Sequence, residues 1–183
     1  MILPILAYGS PALRAKSLEI DKNYPNLSDI ITNLSDTMQA SNGIGIAAPQ
    51  LGLNIRIFLV DSSSLENVKP KNFKKIFINP TIEKEWDTPW PFEEGCLSIP
   101  NIRENVSRNA KIKISYFDEN FNSYSETFDG MIARIIQHEY DHLEGVLFTD
   151  RINPLKRQFL KKRLDNISKG IVDVNYKMKF PKR

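Results

Sequence analysis

The two histidines of the chain, His138 and His142, lie in the segment HEYDH, and the single cysteine, Cys96, lies upstream of them. On a helix, side chains four residues apart differ by only roughly 40° around the axis, so both imidazoles project side by side. They can then bind one metal ion, while Glu139 accepts a proton from water on the ion, as in the H-E-x-x-H motif. The segment therefore predicts a catalytic metal site.

The helix that this metal motif requires is predicted by the apolar residues around it. These residues recur at intervals of three and four, which is the period of one buried helix face. They are Ile132, Ile135, Ile136, Tyr140 and Leu143. Gly145 follows closely and is a typical helix stop. The motif thus has the local structure that it needs.

A catalytic metal site usually has three protein ligands and an open position for water. Because the chain has no third histidine, the third ligand is Cys96 or a carboxylate. Glu144 is the nearest downstream acid, but two positions beyond His142 it points away from the site face of the helix. Cys96 lies in the segment EGCLS, just before an apolar, strand-like stretch. Cys96 is therefore a better candidate than a carboxylate, although a cysteine at such a position is more often an inert core residue, and both alternatives stay open at this point.

A second segment, GIGIAAPQ at residues 43–50, resembles the glycine fingerprint of dinucleotide-binding proteins. That fingerprint needs a strand before the glycines and a helix after them. The apolar period of residues 27–38 instead predicts a helix before them, and Pro49 would interrupt a helix after them. We therefore reject a nucleotide site. Small residues here suit a backbone edge that lies against an extended peptide, and Gln50 would add an amide donor.

Taken together, the segments GIGIAAPQ, EGCLS and QHEYDH resemble the three motifs of the peptide deformylase family, in the same order. Further similarity runs from the segment ILAYG at residues 5–9 to the segment LF at residues 147–148. The resemblance therefore covers most of the first 155 residues of the chain. Each motif alone is moderately specific, and the ordered triple is strongly so.

This resemblance implies a hydrolase that removes the N-formyl group from the N-terminal formyl-methionine of newly synthesised polypeptides. It implies Cys96, His138 and His142 as metal ligands, with iron(II) as the expected metal. One thiolate and two imidazoles also suit zinc, nickel or cobalt, which the sequence cannot separate from iron. Hydroxide on the metal would attack the formyl carbon, with Glu139 as the general base and then the general acid.

The remaining site residues are carried over from the family by motif position. The side-chain amide of Gln50 and the backbone N–H of Leu97 would bind the oxyanion. Backbone groups of Ile44, Gly45 and Gly95 would pair with the substrate chain. Arg103 is expected to bind substrate as well, although a solvated surface charge is the alternative there. Further side chains are expected near the methionine pocket: Phe92, Met131 and Ile135 as its walls, and Arg134, whose head could reach solvent, Glu93 or Glu94.

The chain of 183 residues, 41% of them hydrophobic, predicts one catalytic domain over residues 1–183. We expect an α+β fold in which antiparallel sheets pack around a central metal-binding helix. An N-terminal helix, and a C-terminal helix followed by a short strand, complete the prediction. Strands are predicted over residues 55–60, 75–78, 82–86, 111–117 and 124–128, and the last two are predicted to form a hairpin around the turn at residues 118–120.

The C-terminal part, residues 151–183, is strongly basic, with eleven Lys or Arg against two acids. Its predicted helix is amphipathic: Leu155, Phe159, Leu160 and Leu164 form the apolar face that is expected to be buried, and basic residues lie on the other sides. Its basic residues are typical of a solvated face, but they could also touch the phosphates of ribosomal RNA. We therefore expect formylated nascent peptides as partners, with possible ribosome association through this region.

No apolar run is long enough to cross a bilayer, so a membrane is not expected as a partner. DNA is not expected as a partner either. A single cysteine cannot form an internal disulfide, which fits a reducing, cytoplasmic location in a bacterium or an organelle of bacterial descent. Two other classes of protein remain. A zinc endopeptidase would use a third ligand other than Cys96, and a structural or RNA-binding metal module would use four protein ligands.

Overall fold

The computed structural model describes residues 1–182, which form three α-helices and nine β-strands. The helices are α1 (Leu27–Ala40), α2 (Gly130–Leu143) and α3 (Pro154–Ser168). The strands are β1 (Ile5–Leu6), β2 (Gly45–Ala47), β3 (Ile57–Asp61), β4 (Lys74–Trp86), β5 (Trp90–Cys96), β6 (Ile99–Arg108), β7 (Lys111–Phe117), β8 (Ser123–Asp129) and β9 (Met178–Lys179). The predicted α+β fold is confirmed. None of the helices in the described part of the chain is long and apolar enough to span a bilayer.

The largest sheet has five antiparallel strands in the order β2-β3-β4-β7-β8. The two strands predicted over residues 75–78 and 82–86 are one strand, β4. Asn79 and Pro80 suggest a break in the sequence, but the structure absorbs them in a register shift between Ile78 and Thr81. Strand β2 lies at the edge of this sheet, so one side of its backbone faces the neighbouring cleft.

A separate two-stranded hairpin, β5 and β6, was not predicted as a hairpin from the sequence. Its first strand has the composition WPFEEGC, in which proline, acids and glycine outnumber typical strand residues. From Asn101 onward the residues of β6 alternate between exposed and less exposed positions, and Ile102, Val106 and Arg108 are buried while Arg103 is exposed. That period of two was the available signal.

Helix α2 packs against the five-stranded sheet through its apolar face. Ile132 and Ile136 belong to the same buried cluster as Phe58, Phe77 and Ile114 of the sheet. Each such side chain contributes roughly 1.5–3 kcal/mol through burial. The helix is followed by a glycine at a φ of 71°, a left-handed conformation that favours glycine and ends the helix as predicted. The sheet therefore fixes the helix that carries both histidines.

Helix α3 buries only part of the apolar face that the sequence predicts. Leu160 and Leu164 are buried together with Ile167, but Leu155 is 68% exposed and Phe159 is 82% exposed. The prediction that these last two join the buried face is wrong. Residue 159 lies about 100° around the axis from residue 160, so one narrow face cannot bury both. The short strand predicted after α3 is confirmed as β9, which pairs in parallel with β1.

Candidate metal centre

Three potential ligand atoms converge between the hairpin and helix α2. Atoms of Cys96, His138 and His142 all lie within 4.8 Å of one another, and Cys96 Sγ is 3.3 Å from Nε2 of His142. Cys96 is the last residue of β5, next to a register shift in the hairpin, while both histidines project from α2. The structure thus brings the sulfur, which is 42 residues away from the first histidine in the chain, to the imidazole pair.

Glu94 orients the first of these imidazoles. Its Oε2 lies 3.0 Å from Nδ1 of His138, which leaves the Nε2 atom of that ring facing the cluster. Arg108 and Arg134 also donate to the Glu94 carboxylate, with Nε of Arg108 and Nη1 of Arg134 both at 2.7 Å from Oε1. Burial by itself raises the pKa of Glu94, but the hydrogen bonds with His138 and Arg108 hold it well below its usual range. Nothing in the sequence predicts this contact between Glu94 and His138.

The buried charge network continues from Glu94 to the second half of α2. Arg108 Nη1 donates to Asp141 Oδ2 at 2.8 Å, and Arg151 Nε donates to the same oxygen at 2.6 Å. Arg108 is 4% exposed and Asp141 is 4% exposed, so both charges depend on these partners. Because Arg108 belongs to β6 and Asp141 precedes His142, the network locks the hairpin against the metal-motif helix.

Glu139 is buried beside the cluster and is only 4% exposed. Its Oε2 has no hydrogen-bond partner among the described residues. Burial raises the pKa of Glu139 to about 7. Gly45 of β2 lies so close that a Cβ atom there would overlap the Glu139 carboxyl group, which explains the need for glycine at this position. A carboxyl group of this kind can take up and release protons near neutral pH.

Gln50 approaches the sulfur from the other side of the cluster. It is 2% exposed, and its Oε1 accepts the backbone N–H of Ala47 at 2.8 Å. This bond turns the amide nitrogen inward, where Nε2 lies 3.5 Å from Cys96 Sγ and 3.3 Å from Ser98 Oγ. Gln50 is therefore not an ordinary surface glutamine.

A cleft of about 1530 Å³ opens over the cluster. Ile44 and Gly45 line one side of it, and Gly95 lines the other. The three predicted walls of an apolar pocket, Phe92, Met131 and Ile135, line the same cleft. The backbone groups and the apolar side chains that the sequence singled out therefore share one open space beside the cluster.

Arg134 also borders the cleft, but its guanidinium group is hydrogen-bonded to other groups of the protein. Its guanidinium pairs with Glu94, donates to the carbonyl of Val106 at 3.0 Å and stacks over the Trp90 ring at 4.1 Å. Arg134 is only 2% exposed. The prediction that its head could reach Glu94 is confirmed.

The family model described as polypeptide deformylase matches residues 2–158 of the chain. The chain belongs to the polypeptide deformylase family. The peptide deformylase of Flavobacterium psychrophilum is 52% identical, and the match covers 100% of both chains. The peptide deformylase of Christiangramia forsetii is 50% identical, and the match covers 99% of this chain and 97% of the relative. The predicted family and enzyme class, a peptide deformylase, are confirmed.

Solved deformylase structures share the fold. Peptide deformylase 1B of Arabidopsis thaliana, in complex with an inhibitor, has a TM-score of 0.83 and 34% identity. That match covers 96% of this chain and 98% of the plant chain. A peptide deformylase from Legionella pneumophila has a TM-score of 0.82 and 30% identity, and the match covers 93% and 98% of the two chains. The arrangement of helices and sheets is thus that of deformylases.

The family implies a divalent metal, and the donor set of this deformylase fits one. Burial lowers the pKa of His142 well below its usual value, which favours the neutral ring that metals bind. Burial also disfavours charge on His138, but its hydrogen bonds with Cys96 and Glu94 raise its pKa well above the usual value. A metal ion would replace that proton, since metal binding to thiolate and imidazole releases protons. A softer thiolate with two imidazoles excludes calcium and magnesium as preferred ions.

Two residues from the sequence analysis lie away from the cluster in this deformylase. Glu144 pairs with Arg56 at 2.7 Å and with Lys16 at 3.1 Å, so the alternative third ligand is occupied elsewhere. The Arg103 side chain is 64% exposed at the rim of the cleft, 3.9 Å from Glu93. It lies beside Gly95, where a Cβ atom would be 3.3 Å from its Cγ.

Proposed function

We propose that this deformylase removes the N-formyl group from the N-terminal formyl-methionine of newly synthesised polypeptides. One observation carries the proposal: Cys96, His138 and His142 converge beside the buried, unpartnered Glu139 at the base of an open cleft. Three protein ligands are the number that catalytic metal sites use when a fourth position stays open. The names of the curated relatives support the same substrate class.

Cys96, His138 and His142 would hold the metal, with iron(II) as the expected ion and zinc, nickel or cobalt as ions that the donors also suit. A divalent metal bound there supplies Lewis acidity, which lowers the pKa of water and polarises a carbonyl oxygen. The protein contributes the dry, fixed frame around these donors. Glu94 holds the His138 ring in place through Nδ1.

Glu139 would serve as the proton carrier of the reaction. Its carboxylate takes a proton from the attacking water and passes it to the departing amine. The water oxygen is retained in formate, and the C–N bond of the formamide breaks to leave a free amino terminus. Because Gly45 has no Cβ atom, strand β2 lies directly against the carboxyl group of Glu139 and confines it.

Negative charge on the formyl oxygen would be stabilised by two donors. They are the Nε2 amide of Gln50, which faces the sulfur, and the backbone N–H of Leu97 in the turn after Cys96. Removal of one donor that is aimed at a developing oxyanion costs about 3–4 kcal/mol of transition-state stabilisation. The bond from Ala47 N–H to Gln50 Oε1 supports this role, since it fixes which end of the amide points inward.

The peptide would bind along the free edge of β2, pairing with backbone groups of Ile44 and Gly45 and with Gly95 opposite. Arg103 at the rim would contact residues after the methionine. The methionine side chain would enter the apolar part of the cleft. Its proposed walls are Phe92, Met131 and Ile135.

The deciding experiment is an assay of the anaerobically purified protein on formyl-Met-Ala-Ser, combined with metal analysis of the same preparation. We expect formate release, with about one equivalent of a divalent transition metal per chain. Iron is expected in protein kept from air, and replacement by nickel or cobalt is expected to retain activity. A protein that hydrolyses internal peptide bonds but leaves the formyl group intact would contradict the proposal.

We place the protein in the cytoplasm and treat residues 1–183 as one catalytic domain, with residues 151–183 as its basic helix and tail. Contact of this tail with ribosomal RNA is supported by helix α3. Lys161 and Lys162 are exposed there and form no ion pair within residues 1–182. Phe159, 82% exposed, adds an apolar contact on the same helix. A positive surface of this kind binds phosphates with a strong dependence on salt.

Ribosome co-sedimentation at low salt tests this association. Truncation after Asn166 would remove β9 as well, so the sharper variant is the full chain with Lys161→Glu and Lys162→Glu. Each phosphate contact adds to the affinity at low salt. We therefore expect the loss of two such contacts to weaken binding at least about tenfold. The matched control carries Lys22→Glu and Lys84→Glu, two exposed positions outside α3. Equal sedimentation of the wild type and both variants would end the ribosome proposal.

A further inference from the structure

The segment after α3 returns to the catalytic face of the molecule. We call residues 170–182 the C-terminal strap. It is fixed at its far end by β9, where the N–H of Ala7 donates to the carbonyl of Lys179 at 3.0 Å. It is fixed again where Nδ2 of Asn101 donates to the carbonyl of Asp173 at 3.0 Å. This strap lies beyond the residues that the family model matches.

The strap contributes residues 173–176 to the lining of the cleft. Tyr176 is half-buried and packs with Leu97 against one apolar cluster. Its hydroxyl donates a hydrogen bond of 2.8 Å to the Leu97 carbonyl. Burial raises the pKa of Tyr176 well above its usual value, and the nearby Cys96 adds to the shift, so the hydroxyl keeps its proton.

The turn at residues 96–98 is held from three distant parts of the chain. The backbone N–H of Tyr8 donates to the carbonyl of Ser98 at 2.9 Å. Gln50 Nε2 donates to Ser98 Oγ at 3.3 Å. The hydroxyl of Tyr176 donates to the carbonyl of Leu97, the residue between Cys96 and Ser98. Each of the three attachments comes from outside the hairpin, so the shape of the turn depends on tertiary contacts.

The carbonyl and the N–H of Leu97 flank one Cα atom, and only its φ and ψ angles separate them. Pairing of Cys96 with Ile99 fixes the hairpin on either side of the turn. The hydroxyl of Tyr176 fixes the carbonyl of Leu97 from the strap. With both ends held, the direction of the intervening N–H has little freedom.

We infer that Tyr176 is a positioning residue for deformylation: by holding the Leu97 carbonyl, it keeps the Leu97 N–H aimed at the formyl oxygen. The inference rests on the proposed function of this site. An oxyanion donor acts in the transition state, where charge develops, and not in substrate binding. If the Leu97 N–H is no longer held in this direction, kcat should therefore fall and KM should stay nearly unchanged.

The test is Tyr176→Phe in the full chain, which removes the hydroxyl and keeps the ring in the cleft wall. We expect kcat on formyl-Met-Ala-Ser to fall about three- to tenfold, the range of one ordinary hydrogen bond. KM should stay within about twofold, and metal content should not change. Amide hydrogen exchange at residues 96–98, measured on metal-free protein, should be faster than in the wild type.

The matched control is Tyr124→Phe. That hydroxyl also makes one hydrogen bond, to Asp118 at 3.3 Å, but in the hairpin of β7 and β8. The inference is overturned if Tyr176→Phe keeps the wild-type kcat and exchange rate. It is also overturned if only KM rises or if metal is lost, because Tyr176 would then be a cleft wall or a support for Cys96. A wild-type protein without deformylase activity would instead refute the proposed function, and the exchange rates would still decide whether Tyr176 holds the turn.

Discussion

Replacement of Glu139 with glutamine is expected to lower kcat on formyl-Met-Ala-Ser by about 10²- to 10⁴-fold, the usual contribution of a general acid and base. Glutamine has nearly the same shape as glutamate but cannot accept the proton of the attacking water. Because Glu139 is not one of the three converging donors, the bound metal should remain at its wild-type level. Steady-state kinetics and metal analysis on one preparation measure both quantities.

The control for this variant is Glu83→Gln. Glu83 lies on β4, bonds to Lys113 and Ser125, and is exposed. The substitution removes one carboxylate that does not line the cleft, so kcat should not change. If Glu139→Gln retained more than about a tenth of the wild-type kcat with full metal, proton transfer through this residue would be disproved. If the variant lost its metal, the residue would have to be counted among the ligands.

The part of the site that the sequence predicts well is the part that local geometry determines. The spacing of His138 and His142 fixes their common face on any helix, and the apolar positions around them predict that helix. Helix α2 confirms that structure. The hairpin of β7 and β8 was predicted for the same reason, since alternation and a turn segment are both local signals.

The residues that link distant segments were harder to predict. No spacing rule connects Cys96 with the histidines, and its place came from the resemblance to a family. Glu94, Arg108 and Asp141 form a network across β5, β6 and α2, but each looks like an ordinary surface charge in the sequence. Charged residues are usually exposed, so burial of such a network can be recognised only once the fold brings the partners together.

Helix α3 shows a different limit of sequence reasoning. Leu155 and Phe159 fit the apolar period but are exposed, because the helix buries Leu160, Leu164 and Ile167 instead. A period of 3.6 residues permits more than one apolar face when hydrophobic residues are adjacent. Which face is buried depends on the neighbouring elements, and here those are β6 and the residues around Ile152.

Replacement of Cys96 with alanine is expected to abolish metal retention and, with it, deformylation. Protein metal sites bind with about 10–16 kcal/mol when four ligands contribute, which is roughly 3 kcal/mol for each ligand. Loss of one of three ligands should therefore weaken metal affinity by at least about 100-fold. Equilibrium dialysis against a metal buffer, followed by metal analysis, gives the change directly. Circular dichroism should show that the fold persists, because the side chain is small and only partly buried.

Glu144→Gln is the matched variant, because it separates this site from that of a zinc endopeptidase. In an endopeptidase of the common kind a carboxylate downstream of the second histidine is the third ligand, so its removal would release the metal and Cys96→Ala would not. Here Glu144 is held by Arg56 and Lys16, while the sulfur lies 3.3 Å from Nε2 of His142. We therefore expect Glu144→Gln to keep both metal and activity. The opposite pattern would remove Cys96 from the site, and the hydrolytic mechanism would have to be rebuilt around a carboxylate.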